Sequence, residues 1–68
     1  MSIQLSINGE DRRVPAALSV AELLADLDLA AVRVAVEHNR RILKRQEFTQ
    51  VILADGDELE IVHFVGGG

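Results

Sequence analysis

Ile3-Gln4-Leu5-Ser6-Ile7-Asn8-Gly9, residues 3–9, is the stretch from which the fold is read. Ile3, Leu5 and Ile7 alternate with Gln4, Ser6 and Asn8, the period-2 pattern of a strand with one buried face. Asn8-Gly9 is the strongest short hairpin signal, because both residues tolerate positive φ. With these two in the turn, Ile3 falls opposite Val14. Both apolar side chains then share a face, so the register is self-consistent. Pro15 has no N–H to give to a ladder and closes the second strand.

A marked helix start comes next. Ser19 stands as N-cap with Glu22 three residues on, a capping box that satisfies two otherwise orphaned N–H groups. Leu18 and Leu23 occupy the staple positions on either side of the cap. Val20, Leu23, Leu24 and Leu27 recur at helical spacing and give one apolar stripe. The helix is expected to run to Leu27 or Asp28. No Gly marks its end, and Asp28 is on the wrong side of the helix dipole.

Val32, Val34 and Val36 alternate with Arg33, Ala35 and Glu37 and predict a third strand, with Asn39 as the turn residue after it. Ile42-Leu43 is expected to pair back as a short strand. Phe48 falls in a brief irregular or single-turn stretch, and Val51 to Leu53 form a short apolar run. Asp55-Gly56-Asp57 predicts a turn. A last strand from Glu58 to Val65 puts Leu59, Ile61 and His63 on one face, and Glu60, Val62 and Phe64 on the other. A hairpin, one helix and three or so further strands make a two-layer α+β domain, a mixed four- to five-stranded sheet with the helix packed on one face. With the first and last strands as neighbours in the middle, that layout is a β-grasp. Residues 1–65 are assigned to this domain, and residues 66–68 to a flexible Gly-Gly-Gly tail.

Composition bounds what such a domain can do. A chain of 68 residues has room for one small core and a thin stability margin. Hydrophobic residues make up 49% and charged residues 26%, which fits a globular chain. Aromatics are only 3%, so the core is expected to be built mostly from Val, Leu, Ile and Ala. The net charge of −4 argues against nucleic acid as a partner, because a phosphate-backbone binder needs clustered basic charge. There is no cysteine, which removes disulfides, a catalytic thiol and a thiolate metal site together. Sulfur, if handled at all, cannot ride on a side-chain thiol. No basic segment leads into an apolar stretch at the start, and no apolar run is long enough for a bilayer, so a soluble cytoplasmic protein without membrane contact is expected.

The segment with the clearest chemical potential is Gly66-Gly67-Gly68, directly after a strand rich in β-formers. Read on its own it is equally a frayed terminus. As a functional end it has a physical logic. Activating a carboxylate means bringing it to the α-phosphate of a nucleotide inside a closed site. Glycines lack Cβ and can follow a narrow channel in almost any backbone conformation. Four extended residues from Val65 reach roughly 13 Å at about 3.3 Å each, enough to enter a partner's site while the globular part docks outside. An acyl adenylate gives the carboxylate a good leaving group, which a sulfur nucleophile can displace to leave a terminal thiocarboxylate. Val62 and Phe64 fall on the open face of the sheet just before this tail, where an apolar patch suits a protein interface.

The remaining candidates have plainer explanations. His38 and His63 read as solvated or half-buried strand residues. Ser2, Ser6 and Ser19 have strand, turn or cap roles and no evident base. Asp55, Asp57, Glu58 and Glu60 lack EF-hand spacing and read as a turn and an acidic strand edge rather than a metal site. Arg40, Arg41, Lys44 and Arg45 read as a solvated hairpin.

Four segments together resemble the ThiS family, the ubiquitin-like sulfur carriers of thiamine (thiazole) biosynthesis. They are Leu5-Ser6-Ile7-Asn8-Gly9-Glu10, Val20-Ala21-Glu22-Leu23-Leu24, Val34-Ala35-Val36-Glu37-His38-Asn39, and residues 56–68, Gly56-Asp57-Glu58-Leu59-Glu60-Ile61-Val62-His63-Phe64-Val65-Gly66-Gly67-Gly68. The resemblance implies a β-grasp fold and a protein that is a cosubstrate rather than an enzyme, with no cofactor of its own. It implies that the Gly68 carboxylate is adenylated by an ATP-dependent, ubiquitin-activating-like enzyme. Sulfur from a cysteine desulfurase relay then gives a thiocarboxylate, which thiazole synthase consumes. Gly67 completes the diglycine end, and Val62, Phe64, Val65 and Gly66 make up the partner-binding approach. The small subunit of molybdopterin synthase shares fold, tail and activation chemistry but tends to be longer. A ubiquitin-like protein modifier and a plain β-grasp interaction module also fit the same fold.

Overall fold

The computed structural model describes residues 1–64. Its strands are β1 (Ser2–Ile7), β2 (Glu10–Pro15), β3 (Val34–His38), β4 (Arg41–Ile42) and β5 (Glu58–His63), with one α-helix, α1 (Val20–Asp26). They form one sheet in the order β2-β1-β5-β3-β4. β1 and β5 run parallel, and the other neighbours are antiparallel. The first and last of these strands therefore lie side by side, with β5 in the centre. This is the β-grasp layout.

The first hairpin has the register expected, with Ile3 opposite Val14 and Pro15 as the last paired residue, opposite Ser2. Asn8 and Gly9 take φ of 52° and 84°, the left-handed pair that a two-residue turn with the right twist requires. At the helix start, Glu22 N–H donates to Ser19 Oγ (3.1 Å) and Ser19 N–H donates to Glu22 Oε1 (2.9 Å). The Ser19 backbone N–H, followed by its hydroxyl, holds the Glu22 carboxyl below its ordinary range. The helix ends without glycine because Asp28 itself adopts φ 61°. Leu29 N–H donates to Leu24 C=O (2.8 Å) and Asp28 N–H to Ala25 C=O (3.1 Å), which together make a Schellman cap.

The helix buries Val20, Leu23 and Leu24 in one core with Leu5, Val14, Val36, Leu59 and Ile61 of the sheet. Phe48, just after a 3-10 turn at Arg45–Glu47, and Leu53 close this core from the long β4–β5 connection. Ala21 N–H donates to Phe48 C=O (2.8 Å) and Val20 N–H to Val51 C=O (3.0 Å), tying that connection to the helix start.

Three expectations need correction. Val32 is not in the third strand. It lies in a 3-10 turn, Ala31–Arg33, and is 61% exposed. The turn is closed by Arg33 N–H on Ala30 C=O (2.9 Å), and pairing starts at Val34, opposite His63. The short strand is Arg41–Ile42 rather than Ile42-Leu43, although Leu43 N–H still donates to Val36 C=O (2.9 Å). The last strand ends at His63 rather than Val65, with Phe64 N–H adding one bond to Arg33 C=O (2.7 Å). Val65, the domain limit placed at it, and the glycine tail at 66–68 lie outside the described residues.

Candidate functional site

The site is built around β5, because this strand leads to the segment whose glycines carry the expected chemistry. β5 is gripped on both edges. Along β3, Val34 to His38 pair with His63 to Leu59, and Asn39 N–H extends the ladder to Glu58 C=O (2.8 Å). Along β1 the paired run is shorter, Ser6 with Glu58 and Ile7 with Leu59. Asn8 N–H then donates to Leu59 C=O (2.9 Å), and there the chain turns away.

Two asparagine side chains complete the grip. Ile61 N–H donates to Asn8 Oδ1 (2.7 Å), and Asn8 Nδ2 donates to Ile61 C=O (3.1 Å). Glu58 N–H donates to Asn39 Oδ1 (2.9 Å). Each asparagine is also the first of the two left-handed residues of its hairpin turn, with φ of 52° and 50°. One side chain thus sets a turn and holds the central strand. Sequence reading finds the turns and misses the grip, because Asn8 and Ile61 are 53 positions apart.

Asn39 belongs to a second cluster at the start of β5. His38 Nε2 donates to Asp57 Oδ2 (2.7 Å), Ala54 N–H donates to the same oxygen (2.9 Å), and Asn39 Nδ2 donates to Asp57 Oδ1 (3.1 Å). Burial pushes the Asp57 carboxyl up. The bonds from His38, Ala54 and Asn39, with the attraction of His38, outweigh it and hold the carboxyl below its ordinary range. Asp55 Oδ1 accepts from Gln4 N–H (2.7 Å). His38, Asp55 and Asp57 are therefore tied into the architecture of the turn. In the basic run, Arg41 Nη2 pairs with Glu47 Oε2 (2.9 Å).

The face of the sheet away from the helix carries the apolar residues expected there. Val62 is 58% exposed and Phe64 55%. The structure adds Ala35, which pairs with Val62, and Ile42, which is 71% exposed and lies opposite Glu37. A depression of about 90 Å³ runs between Ala35, Ile42 and Val62, with Glu37 and Glu60 at its rim. Sequence reading misses Ile42 as a site residue. The Asn39-Arg40 turn carries the signal that finds it, since that register puts Ile42 opposite Glu37 and so on the same face.

The acidic rim has a pairing that folding alone disfavours. Glu37 and Glu60 are direct cross-strand partners, and like charges so placed repel. Neither forms a salt bridge among the described residues. The open face thus offers a cleft of apolar side chains flanked by Glu37 and Glu60. Val65, Gly66, Gly67 and Gly68, the rest of the expected site, lie outside the described residues. Among the described residues, no helix is long and apolar enough to cross a membrane.

Known proteins resemble this chain in sequence and in fold. The chain is 40% identical over 65 residues to the sulfur carrier protein ThiS of Bacillus subtilis, covering 94% of this chain and 98% of that protein. It is 46% identical over 66 residues to a thiazole synthase of Paramagnetospirillum magneticum, covering 97% of this chain but spanning only 20% of that protein's length. The crystal structure of the thiamine biosynthesis protein ThiS from Geobacter metallireducens matches with a TM-score of 0.83 at 39% identity, covering 97% of this chain and 100% of that one. The ThiS family model matches residues 5–68, from the first strand through the three glycines, and the chain accordingly belongs to the ThiS family.

Proposed function

We propose that this chain is a sulfur carrier of thiamine biosynthesis that works through the carboxylate of Gly68. The observation that carries the reading is that the family match extends through residue 68 and includes the glycine segment. A carboxylate oxygen of Gly68 attacks the α-phosphorus of ATP on an adenylating enzyme, and pyrophosphate leaves. The terminal sulfur of a persulfide supplied by a cysteine desulfurase relay then attacks the acyl carbon and AMP leaves, giving an acyl disulfide. A thiol attacks the relay cysteine's sulfur in that bond, forming a disulfide with it and releasing the thiocarboxylate. Thiazole synthase takes the sulfur for ring formation. The chain supplies no catalytic group to these steps and acts as a protein-sized cosubstrate in the cytoplasm.

The rest of the molecule serves delivery. Val62 and Phe64, joined by Ile42, make an apolar docking face beside the departing chain, and Val65, Gly66 and Gly67 form the thin lead that enters the enzyme's site. Burying such a patch supplies affinity roughly in proportion to its area, while Glu37 and Glu60 select partners with cations around the contact.

Incubation with the adenylating enzyme, ATP and a sulfur source should raise the intact mass by the difference between sulfur and oxygen. A chain lacking Gly67 and Gly68 should show no gain. If the full-length chain stays unchanged with enzymes that load the Bacillus subtilis carrier, the reading fails.

A further inference from the structure

The two edges of β5 are not equally supported near the transfer end. In an antiparallel ladder, successive residues direct their backbone groups to alternate sides. Glu58 and Phe64 bond to the β3 side, so Leu59, Ile61 and His63 turn their N–H and C=O toward β1. But β1 ends at Ile7, and Asn8 rotates out of the ladder with φ 52°. The rung due at Ile61 is made by the Asn8 side chain instead. An asparagine amide has the same donor and acceptor as a peptide group, and here it meets both Ile61 atoms, at 2.7 and 3.1 Å. Among the described residues it is the last hydrogen bond to the β1 side of β5.

We infer that Asn8 is a positioning residue for the transfer end, its amide standing in for the missing peptide at Ile61 and fixing the direction in which β5 delivers the chain. The inference rests on the proposed role of Gly68. Only three residues separate Ile61 from Val65 along the chain. With its β1-side edge released at Ile61, the strand can tilt about its bonds to β3, and the tilt is carried to the chain beyond Phe64, including the Gly68 carboxylate that must meet the α-phosphate. Docking through Val62, Ile42 and Phe64 is a separate matter, since that face is held by the β3 and β4 side. Losing the Asn8 amide should reduce the rate of adenylation in the bound complex more than it weakens binding.

The other asparagine supplies the control. Asn39 has the same left-handed turn geometry and grips the same strand, but at Glu58, the end away from the tail. Glycine at either position keeps the turn and removes the grip.

The full-length wild type, Asn8→Gly, Asn8→Asp and Asn39→Gly would be compared as substrates of the adenylating enzyme by ATP–pyrophosphate exchange, below all their melting transitions. For Asn8→Gly we expect kcat to fall roughly tenfold with KM within about twofold, the pattern of a misplaced reacting group. Amide exchange at Ile61 should quicken in the same variant. Asn8→Asp keeps the acceptor for Ile61 N–H and should fall in between; if Asn8→Gly does not stay folded, this variant decides. Asn39→Gly should keep kcat. An unchanged kcat in the Asn8 variants, a loss in KM alone, or an equal loss in Asn39→Gly would overturn the inference and leave the function standing. No exchange with wild type would overturn both.

Discussion

Asp28 is an L-residue in a position that suits glycine. It caps the helix with φ 61° and puts a negative charge where the dipole favours a positive one. Asp28→Gly should raise stability by about 1 kcal/mol, from relieved left-handed strain and removed charge, read as a higher urea midpoint at constant slope. No rise would mean that Asp28 has a partner in solution. Asp57 shows the opposite economy, a carboxylate whose full set of donors lowers its folded pKa. Its contribution to stability is complete above the ordinary aspartate value of about 3.9 and is lost as pH falls through the lower folded value. The deficit of Asp57→Asn relative to wild type should therefore shrink between about pH 5 and pH 2. A pH-independent deficit in thermal melts would contradict this.

Elements differ in how openly the sequence announces them. Hairpin and helix carry local signals: Asn8-Gly9 fixes a register, and Ser19 with Glu22 fixes a start. Ser19→Ala, which removes the hydroxyl from an N-cap only 6% exposed, should cost about 1 kcal/mol in chemical denaturation. The third strand is legible only in part. Alternating valines mark backbone that could pair, whereas pairing at Val32 depends on where β5 ends, and that is not local information. The same limit hides the Asn8 and Asn39 grips and the opposition of Glu37 to Glu60, while Val62 and Phe64 are readable from alternation alone. That acidic pair yields a prediction with two opposed signs. Glu60→Gln should stabilise the free chain by about 0.3 kcal/mol, since a like-charge cross-strand pair is relieved, yet weaken its binding to the adenylating enzyme, most visibly at low salt. A variant that binds as tightly as wild type in calorimetry would remove Glu60 from the docking face.

At the scale of the whole molecule, twelve buried apolar residues among those described form the core, and the loss of one is a large fraction of the total. Leu24, 1% exposed between helix and sheet, should on substitution by alanine cost about 2–5 kcal/mol, approaching the entire stability of a domain this size. On the proposed function, removal of Gly67 and Gly68 should abolish sulfur loading, read as no gain in intact mass. The placement of β5 has one more consequence. It is the last strand described and yet the middle one, so before it is in place the sheet is only two unconnected hairpins, β2-β1 and β3-β4. During synthesis those hairpins emerge first and cannot join until residues 58–63 have left the ribosome. The closing step of folding is thus the insertion of the strand that bears the transfer end. On the proposed function, a chain whose β5 has not inserted offers no docking face beside Gly68, so the surface that would recruit the loading enzyme forms only as folding completes.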